Sequence, residues 1–218
     1  MSDATQTGNG SPTVSSRGEI KGPEINRYFS LLARHLSDTK ITDLGGHAIG
    51  LESAVNDVMA QARNAHAHGN KLIFVGNGGS AAIASHMATD YSKNGNIRSI
   101  AFNDAATLTC LGNDLGYDRV FAKQVELHAR KDDLLIAISS SGQSPNILNA
   151  VTAAREAGCG VVTLSGFSAD NPLRRLGDLN FYVASDRYGF VEIGHLALCH
   201  VILDFLCGLR CQGAQQAV

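Results

Sequence analysis

The chain has 218 residues, of which 44% are hydrophobic and 17% are charged, and its formal net charge is −2. These values are typical of a globular domain rather than a disordered chain, and they give no electrostatic basis for nucleic acid as the main ligand. No apolar run approaches the ~20 residues of a membrane span, and residues 1–20 lack the apolar segment of a secretory signal. The five cysteines show no CxxC spacing, so we expect buried, reduced thiols in a cytoplasmic protein and no thiolate zinc site.

The N-terminal part of the chain is predicted to be a tail followed by two helices. Residues 1–22 are rich in Ser, Thr, Gly and Asn, which is typical of a disordered tail, and residues 211–218 are expected to form a C-terminal tail. One domain is predicted between them, over residues 23–210. Its first two elements are helices at about 24–36 and 51–67, where apolar residues recur at helical spacing.

Strands and helices alternate after this helical arm. The predicted strands cover 71–75, 98–102, 133–138, 160–165 and 179–183. The predicted helices cover 80–92, 105–112, 117–129, 144–157 and 191–207, with a turn at 112–114 between the second and the third. This order predicts an α/β fold with a mostly parallel five-stranded sheet flanked by helices on both faces. Ligands of such sheets bind beyond the carboxyl ends of the strands.

A glycine-rich turn, GNGGSA at 76–81, follows the first strand of this alternation. Glycine lets the backbone approach a ligand closely, and the start of a helix attracts anions. The turn lacks the lysine of a P-loop and the GxGxxG spacing of a dinucleotide fold, so ATP and NAD are poorly supported. The alternative to an anion site is a plain tight turn.

A serine-rich turn, SSSGQS at 139–144, follows the third strand. Its hydroxyl and N–H groups are the donors that a phosphate monoester needs where no metal or arginine binds it. The alternative is that Ser144 caps the next helix ahead of Pro145, which is compatible with phosphate binding. Together the two turns predict a site for a phosphorylated small molecule.

Ionisable residues on two helices are the candidates for chemistry. His86 and Asp90 lie four residues apart on one helix face and can chelate one ion together. Glu192, His195 and His200 lie in an apolar helix, where such groups are rarely buried unpaired. They pair with one another, face an interface cavity or bind something, unless they are hydrogen-bonded core residues. Glu192 and His200 are separated by a rise of ~12 Å, so sharing one ion requires extended side chains or a distorted helix start.

Motifs spread over about residues 24–207 resemble the SIS (sugar isomerase) family and, within it, the sedoheptulose 7-phosphate isomerases, also called phosphoheptose isomerases. The motifs that carry the resemblance are GNGGSA at 76–81, LGND at 111–114, ISSSGQS at 138–144, and His195 and His200 of the last helix. The resemblance implies the SIS fold, with the two N-terminal helices as the family's arm.

The resemblance also implies roles by position. It places these residues in the substrate pocket: Asn77, Gly78, Gly79, Ser80, Asp104, Ser139, Ser140, Ser141, Ser144 and Glu192. It makes Asp90 and His200 the catalytic pair. It implies a divalent metal, with zinc expected, on His86, Asp90, Glu192 and His200. Here Asp90 stands where the family has a longer Glu, and Glu192 where it has Gln.

The implied activity is the aldose–ketose isomerisation of sedoheptulose 7-phosphate to a heptose 7-phosphate aldose of the D-glycero-D-manno type, through a metal-assisted enediol. The implied assembly is a homotetramer with active sites at subunit interfaces, with no membrane or direct nucleic-acid partner. One alternative is a non-catalytic SIS scaffold that binds the replication initiator DnaA. Another is an isomerase or sensor for a different phosphosugar. Ionisable groups at positions 86, 90, 192 and 200 favour an enzyme.

Overall fold

The computed structural model describes residues 20–209. The helices are α1 (Gly22–Ser37), α2 (Leu51–Ala67), α3 (Gly79–Lys93), α4 (Ala105–Leu115), α5 (Val120–His128), α6 (Pro145–Glu156) and α7 (Tyr188–Leu206). The strands are β1 (Lys40–Asp43), β2 (Ala48–Ile49), β3 (Leu72–Gly76), β4 (Ser99–Ala101), β5 (Leu134–Ser139), β6 (Gly160–Ser165) and β7 (Leu179–Tyr182). The tail expected at 211–218, and all but the last three residues of the tail expected at 1–22, lie outside the described residues.

The strands form one sheet in the order β2-β1-β7-β6-β5-β3-β4. The five strands from β7 to β4 run parallel, which confirms the predicted α/β class. Two short antiparallel strands, β1 and β2, extend the sheet beyond β7 and raise the strand number from the expected five to seven. Because β1 has four residues and β2 has two, neither is long enough for its alternation to stand out from a loop.

Helices cover both faces of the parallel sheet, and the sheet separates two hydrophobic clusters, one on each face. Leu72 and Phe74 of β3 point into a cluster with α2, α3 and α7, whereas Ile73 and Val75 point into a cluster with α5 and α6. All four side chains are fully buried, as expected for a central strand of a parallel sheet. Because β3 and β5 run parallel, their carboxyl ends, and therefore both polar turns, lie at the same edge of the sheet. The two strands are direct neighbours, with Gly76 paired to Ile138.

The segment between β4 and β5 differs from its prediction. The prediction of a turn at 112–114 is wrong, because α4 continues through these residues to Leu115. The chain instead turns at Gly116, which has φ +90°, and then forms a 3₁₀ turn over Tyr117–Arg119 before α5 begins. Only Gly116 needs a conformation that favours glycine, so this residue, rather than Gly112, ends the helix.

The last helix, α7, is long and apolar enough to cross a membrane by length and composition alone, with a mean hydropathy of 1.6. Eight of its residues are nevertheless buried in the domain core, where the helix packs against α1, α2, α3 and β6. The expectation of buried thiols is only half confirmed. Cys159 and Cys199 are buried, but Cys110 and Cys207 are exposed; all four are free, and Cys211 lies outside the described residues.

Candidate functional site

The glycine-rich turn joins the end of β3 to the start of α3. Gly78 has φ +55° and ψ −120°, a conformation open to glycine, and it precedes the first residue of the helix. The N–H of Ser80 donates to the carbonyl of Asn77 at 3.0 Å, and the N–H of Ala81 donates to that of Gly78 at 3.0 Å. The turn therefore folds as the sequence predicts, with Asn77 at its beginning and the positive end of α3 facing outward.

The carboxylate of Glu192 lies directly over this turn. A Cβ placed on Gly79 would come within 2.6 Å of the Glu192 carboxyl carbon, so the acidic side chain of α7 would have to move if residue 79 carried a side chain. A carboxylate at the start of a helix is stabilised by the unpaired N–H groups and the helix dipole there. The Glu192 carboxylate therefore lies beside the glycine-rich turn, and the roles that the resemblance implies for it, in the substrate pocket and in metal binding, stay predictions.

A cluster of three ionisable side chains lies further along the same two helices. The Nε2 atoms of His86 and His200 are 3.2 Å apart, and His86 Nε2 is 3.3 Å from Asp90 Oδ2. One nitrogen or carboxylate oxygen from each residue lies within 4.8 Å of those of the other two. This cluster contains three of the four expected metal ligands. Glu192 is the fourth and lies outside it, in keeping with its two-turn separation from His200.

The donor set of the cluster fits a divalent transition metal. Two imidazole nitrogens and one carboxylate oxygen are ligands that Zn²⁺ accepts, and three protein ligands leave a coordination position for a substrate oxygen. The side chains of His86 and Asp90 are 53% and 22% exposed, so a ligand could reach them from solvent. The contact between the helices is fixed nearby, where the buried Tyr91 hydroxyl donates to the Cys199 carbonyl at 3.1 Å.

The serine-rich turn begins at the last residue of β5. The Ser139 hydroxyl oxygen accepts a hydrogen bond from the N–H of Gly142 at 3.1 Å. Ser144 occupies the N-cap position of α6, but its side chain makes no capping hydrogen bond. The buried Ser140 hydroxyl has no hydrogen-bond partner among residues 20–209. The structure therefore confirms the cap position and keeps two hydroxyls, those of Ser140 and Ser144, out of the bonds that hold the turn.

A buried asparagine, Asn171, packs against Gly142 of the serine-rich turn. Gly142 has φ +62°, and a Cβ on it would lie 2.9 Å from the Asn171 Cβ and closer still to its amide. Asn171 is 1% exposed, and its amide donates to Gly166 and Ser168 carbonyls and to the Ser165 hydroxyl. No local sequence pattern marks Asn171 as part of the site, because it lies nearly thirty positions away from the turn, in a loop after β6.

Two further residues that the sequence analysis missed connect the two turns. Asn77 and Asn146 exchange two side-chain hydrogen bonds, each 2.9 Å long. The Tyr117 hydroxyl donates to Asn77 Oδ1 at 3.2 Å. Asn146 follows Pro145 in the first turn of α6, a position that carries no functional pattern of its own. Their convergence depends on the pairing of β3 with β5, which local periodicity does not reveal.

The remaining candidates have clear structural roles. Asp104 is exposed and caps α4, where Oδ1 accepts from the N–H and the hydroxyl of Thr107, each at 2.8 Å. These hydrogen bonds lower the pKa of Asp104. His195 is fully buried, and its Nε2 bonds to the Ser165 carbonyl at 3.0 Å. Burial lowers the pKa of His195 to about 4. His195 is therefore a neutral, hydrogen-bonded core residue.

Comparison with known proteins places the chain in a family. A family model described as SIS domain matches residues 48–166. The phosphoheptose isomerase of Geobacter sp. (strain M21) is 37% identical over 162 residues, which cover 72% of this chain and 82% of that relative. The structure of phosphoheptose isomerase GmhA from Neisseria gonorrhoeae is similar with a TM-score of 0.70 at 28% identity, covering 84% of this chain and 98% of that one. A phosphoheptose isomerase from Francisella tularensis gives a TM-score of 0.72 at 28% identity, covering 86% and 98%.

The family model spans more than half of the 218 residues, and the Geobacter relative matches over most of its own length. The chain belongs to the SIS domain family and, within it, to the phosphoheptose isomerase family.

Proposed function

We propose that the chain is a metal-assisted isomerase that converts sedoheptulose 7-phosphate into an aldose heptose 7-phosphate. The observation that carries the proposal is the convergence of His86, Asp90 and His200 on the helix pair α3–α7. The glycine-rich turn at the start of α3 is linked through Asn77 to Asn146, in the first turn of α6 directly after the serine-rich turn. Groups suited to a phosphate and groups suited to proton transfer thus lie on one connected set of elements.

The serine-rich turn is the proposed phosphate subsite. Ser140 and Ser144 have hydroxyls that take no part in holding the turn, and the start of α6 adds the positive end of a helix. Ser139 and Ser141 shape the loop by accepting from the N–H groups of Gly142 and Gln143. These serines form the proposed substrate pocket together with Asn77, Ser80, Asp104, Glu192 and the glycines 78 and 79.

His86, Asp90 and His200 are the proposed ligands of a divalent metal, with zinc expected, and Glu192 is the proposed fourth. When bound, the metal supplies electrophilic stabilisation of the negative charge that develops on the substrate oxygens. Glu192 lies at Gly79 instead of in the cluster, so its side chain must swing along α7 to join the other three.

Asp90 and His200 are the proposed acid–base pair. The reaction moves a proton from a hydroxyl-bearing carbon to the neighbouring carbonyl carbon, and a second proton between their oxygens. A carboxylate and an imidazole both serve as general acids and bases, so each can hold one of these protons in turn. Both residues contact His86 or adjoin it, so one substrate can reach both without a domain movement.

We further propose a cytoplasmic homotetramer. No residue of α1 is buried, and even its large apolar side chains Ile25 and Phe29 are 48% and 60% exposed. An apolar groove of about 580 Å³ lies between α2 and α7, lined in part by Met59 and Phe205. Apolar surfaces of this kind mark interaction sites, and other copies of the chain are the occupants that the family suggests.

The test is to incubate the purified protein with sedoheptulose 7-phosphate, with and without a chelator, and to measure the aldose product. We expect turnover that the chelator abolishes and that zinc restores. His200→Gln should lose turnover and bind zinc at least about tenfold more weakly by competition with a metal-sensitive dye. The exposed His68→Gln is the matched control and should leave both unchanged.

Four outcomes would contradict parts of this proposal. Absence of aldose product with every divalent metal would refute the isomerase assignment, and binding of DnaA without turnover would favour the scaffold alternative. Full turnover in His200→Gln would refute the acid–base role. A native mass spectrum that shows only monomer would refute the tetramer.

A further inference from the structure

We propose that Asn146 and Tyr117 are positioning residues that orient the side-chain amide of Asn77 toward the substrate. This inference rests on the proposed isomerase function, because it assigns Asn77 to the substrate pocket. It concerns two residues outside that pocket and outside the metal cluster. Their effect would pass through hydrogen bonds to Asn77 rather than through contact with the reacting atoms.

The side-chain amides of Asn77 and Asn146 form a closed, reciprocal hydrogen-bonded pair. Asn77 Nδ2 donates to Asn146 Oδ1, and Asn146 Nδ2 donates back to Asn77 Oδ1, both at 2.9 Å. Asn146 is 2% exposed, so these bonds lie at the edge of the protein interior, where water cannot easily replace them. Loss of Asn77 would leave the buried amide of Asn146 unpaired, which favours the paired arrangement.

Asn77 has one polar group left for a ligand. A primary amide offers two N–H donors and one oxygen with two lone pairs. The pair with Asn146 uses one donor and one lone pair, and the Tyr117 hydroxyl uses the second lone pair at 3.2 Å. What remains is one N–H of Nδ2. Asn77 can therefore donate to a substrate oxygen but has no free acceptor, which suits a hydroxyl or phosphate oxygen.

Both supporting residues, Asn146 and Tyr117, are anchored to α6. Asn146 lies in the first turn of α6, directly after the serine-rich turn. Tyr117 lies in the 3₁₀ turn after Gly116, and this turn is tied to α6 because Asn149 Nδ2 donates to the Asp118 carbonyl at 2.9 Å. Both supports therefore move with α6. The amide pair fixes the glycine-rich turn relative to the serine-rich turn and hence the span available to a sugar phosphate.

The experiment is a pair of double-mutant cycles on the whole protein, Asn146→Ala with Asn77→Ala and Tyr117→Phe with Asn77→Ala. In the wild-type background, Asn146→Ala should lower kcat/KM for sedoheptulose 7-phosphate by about 10- to 100-fold, mostly through KM, and Tyr117→Phe by about 2- to 10-fold. In the Asn77→Ala background, neither change should have a further effect, since both act through Asn77. Zinc affinity should not change in any variant.

Tyr188→Phe is the matched control for the tyrosine, because Tyr188 is 63% exposed and Tyr117 is 60% exposed. It should leave kcat/KM unchanged. Additive effects in both cycles would overturn the inference while the isomerase assignment stands. Tyr117→Phe keeps the ring at an exposed site, so its cycle remains decisive if Asn146→Ala fails to fold.

The same cycles are measured in parallel as the Kd of sedoheptulose 7-phosphate by calorimetry. If the protein binds the sugar phosphate without turnover, the isomerase assignment fails, and the coupling must appear in Kd for the inference to hold. If the wild-type protein neither binds nor converts the sugar phosphate, both proposals are refuted.

Discussion

Replacing Gly142 with alanine should destabilise the protein beyond the cost of its backbone conformation. At φ +62°, any residue with a Cβ costs about 1–2 kcal/mol relative to glycine. The new Cβ would also lie 2.9 Å from the Asn171 Cβ and closer to its amide. That amide cannot retreat freely, because it is buried and hydrogen-bonded to four groups: the Ser165 hydroxyl, the Gly166 and Ser168 carbonyls and the Arg174 N–H.

The loss expected for Gly142→Ala follows from these terms. Breaking two of the four hydrogen bonds at about 0.5–1.5 kcal/mol each adds about 1–3 kcal/mol. The sum with the backbone term is about 2–5 kcal/mol of unfolding free energy. Because the displaced loop carries Ser140 and Ser141, inorganic phosphate should also bind more weakly to the folded variant.

Gly46→Ala is the matched control for this prediction. Gly46 has φ +82°, and no atom lies within 4 Å of a Cβ built on it, so only the backbone term applies. Urea unfolding followed by circular dichroism measures both variants, and calorimetry measures their phosphate binding. Equal losses of unfolding free energy in the two variants would refute the role of Asn171 as the rigid support of the serine-rich turn.

Two further predictions concern buried ionisable groups. The pKa of His195 is about 4 in the folded protein against an ordinary 6.5, so between these pH values mainly the unfolded chain binds the proton. Stability should fall by up to about 3 kcal/mol as the pH drops from 6.5 to 4, and urea titrations of His195→Gln should lack this component while the exposed His68→Gln keeps it. Asp133→Ala should lose about 3–5 kcal/mol, because the buried carboxylate accepts from the Lys71 ammonium and backbone and from the Arg130 N–H. The same measurement on the exposed Asp57→Ala should show a loss below about 0.5 kcal/mol.

The sequence predicted elements well where a single element carries its own pattern. The helix expected at 51–67 has those bounds in the structure, because its apolar stripe faces one core cluster throughout. The β1–β2 hairpin escaped prediction for the opposite reason. It is specified by pairing with β7, and by Asp43, whose carboxylate accepts from the His47 N–H and ring across the turn. Such contacts carry no periodic signal.

The residues of the candidate site likewise fall into those that a local pattern predicts and those that it does not. The neighbourhood of His86 and Asp90 follows from helical spacing alone, and the structure places them 3.3 Å apart. The approach of His200 requires the packing of α3 against α7, which the family resemblance implied and which no local pattern predicts. Asn146 and Asn171 escaped notice because asparagines after a proline or in a loop are common, and their importance depends on which strand ends lie next to each other.

The geometry of α7 explains how one apolar helix can serve three different polar roles. At 100° per residue, Glu192 and His200 are separated by about 80° around the helix, whereas His195 is about 60° to the other side of Glu192. His195 therefore faces the sheet, where it bonds to the Ser165 carbonyl, and His200 faces α3. Glu192 lies between these directions and two turns earlier, over the start of α3. A single helix thus joins the end of β6, the glycine-rich turn and the cluster of His86, Asp90 and His200, so a shift of α7 along its axis would disturb all three together.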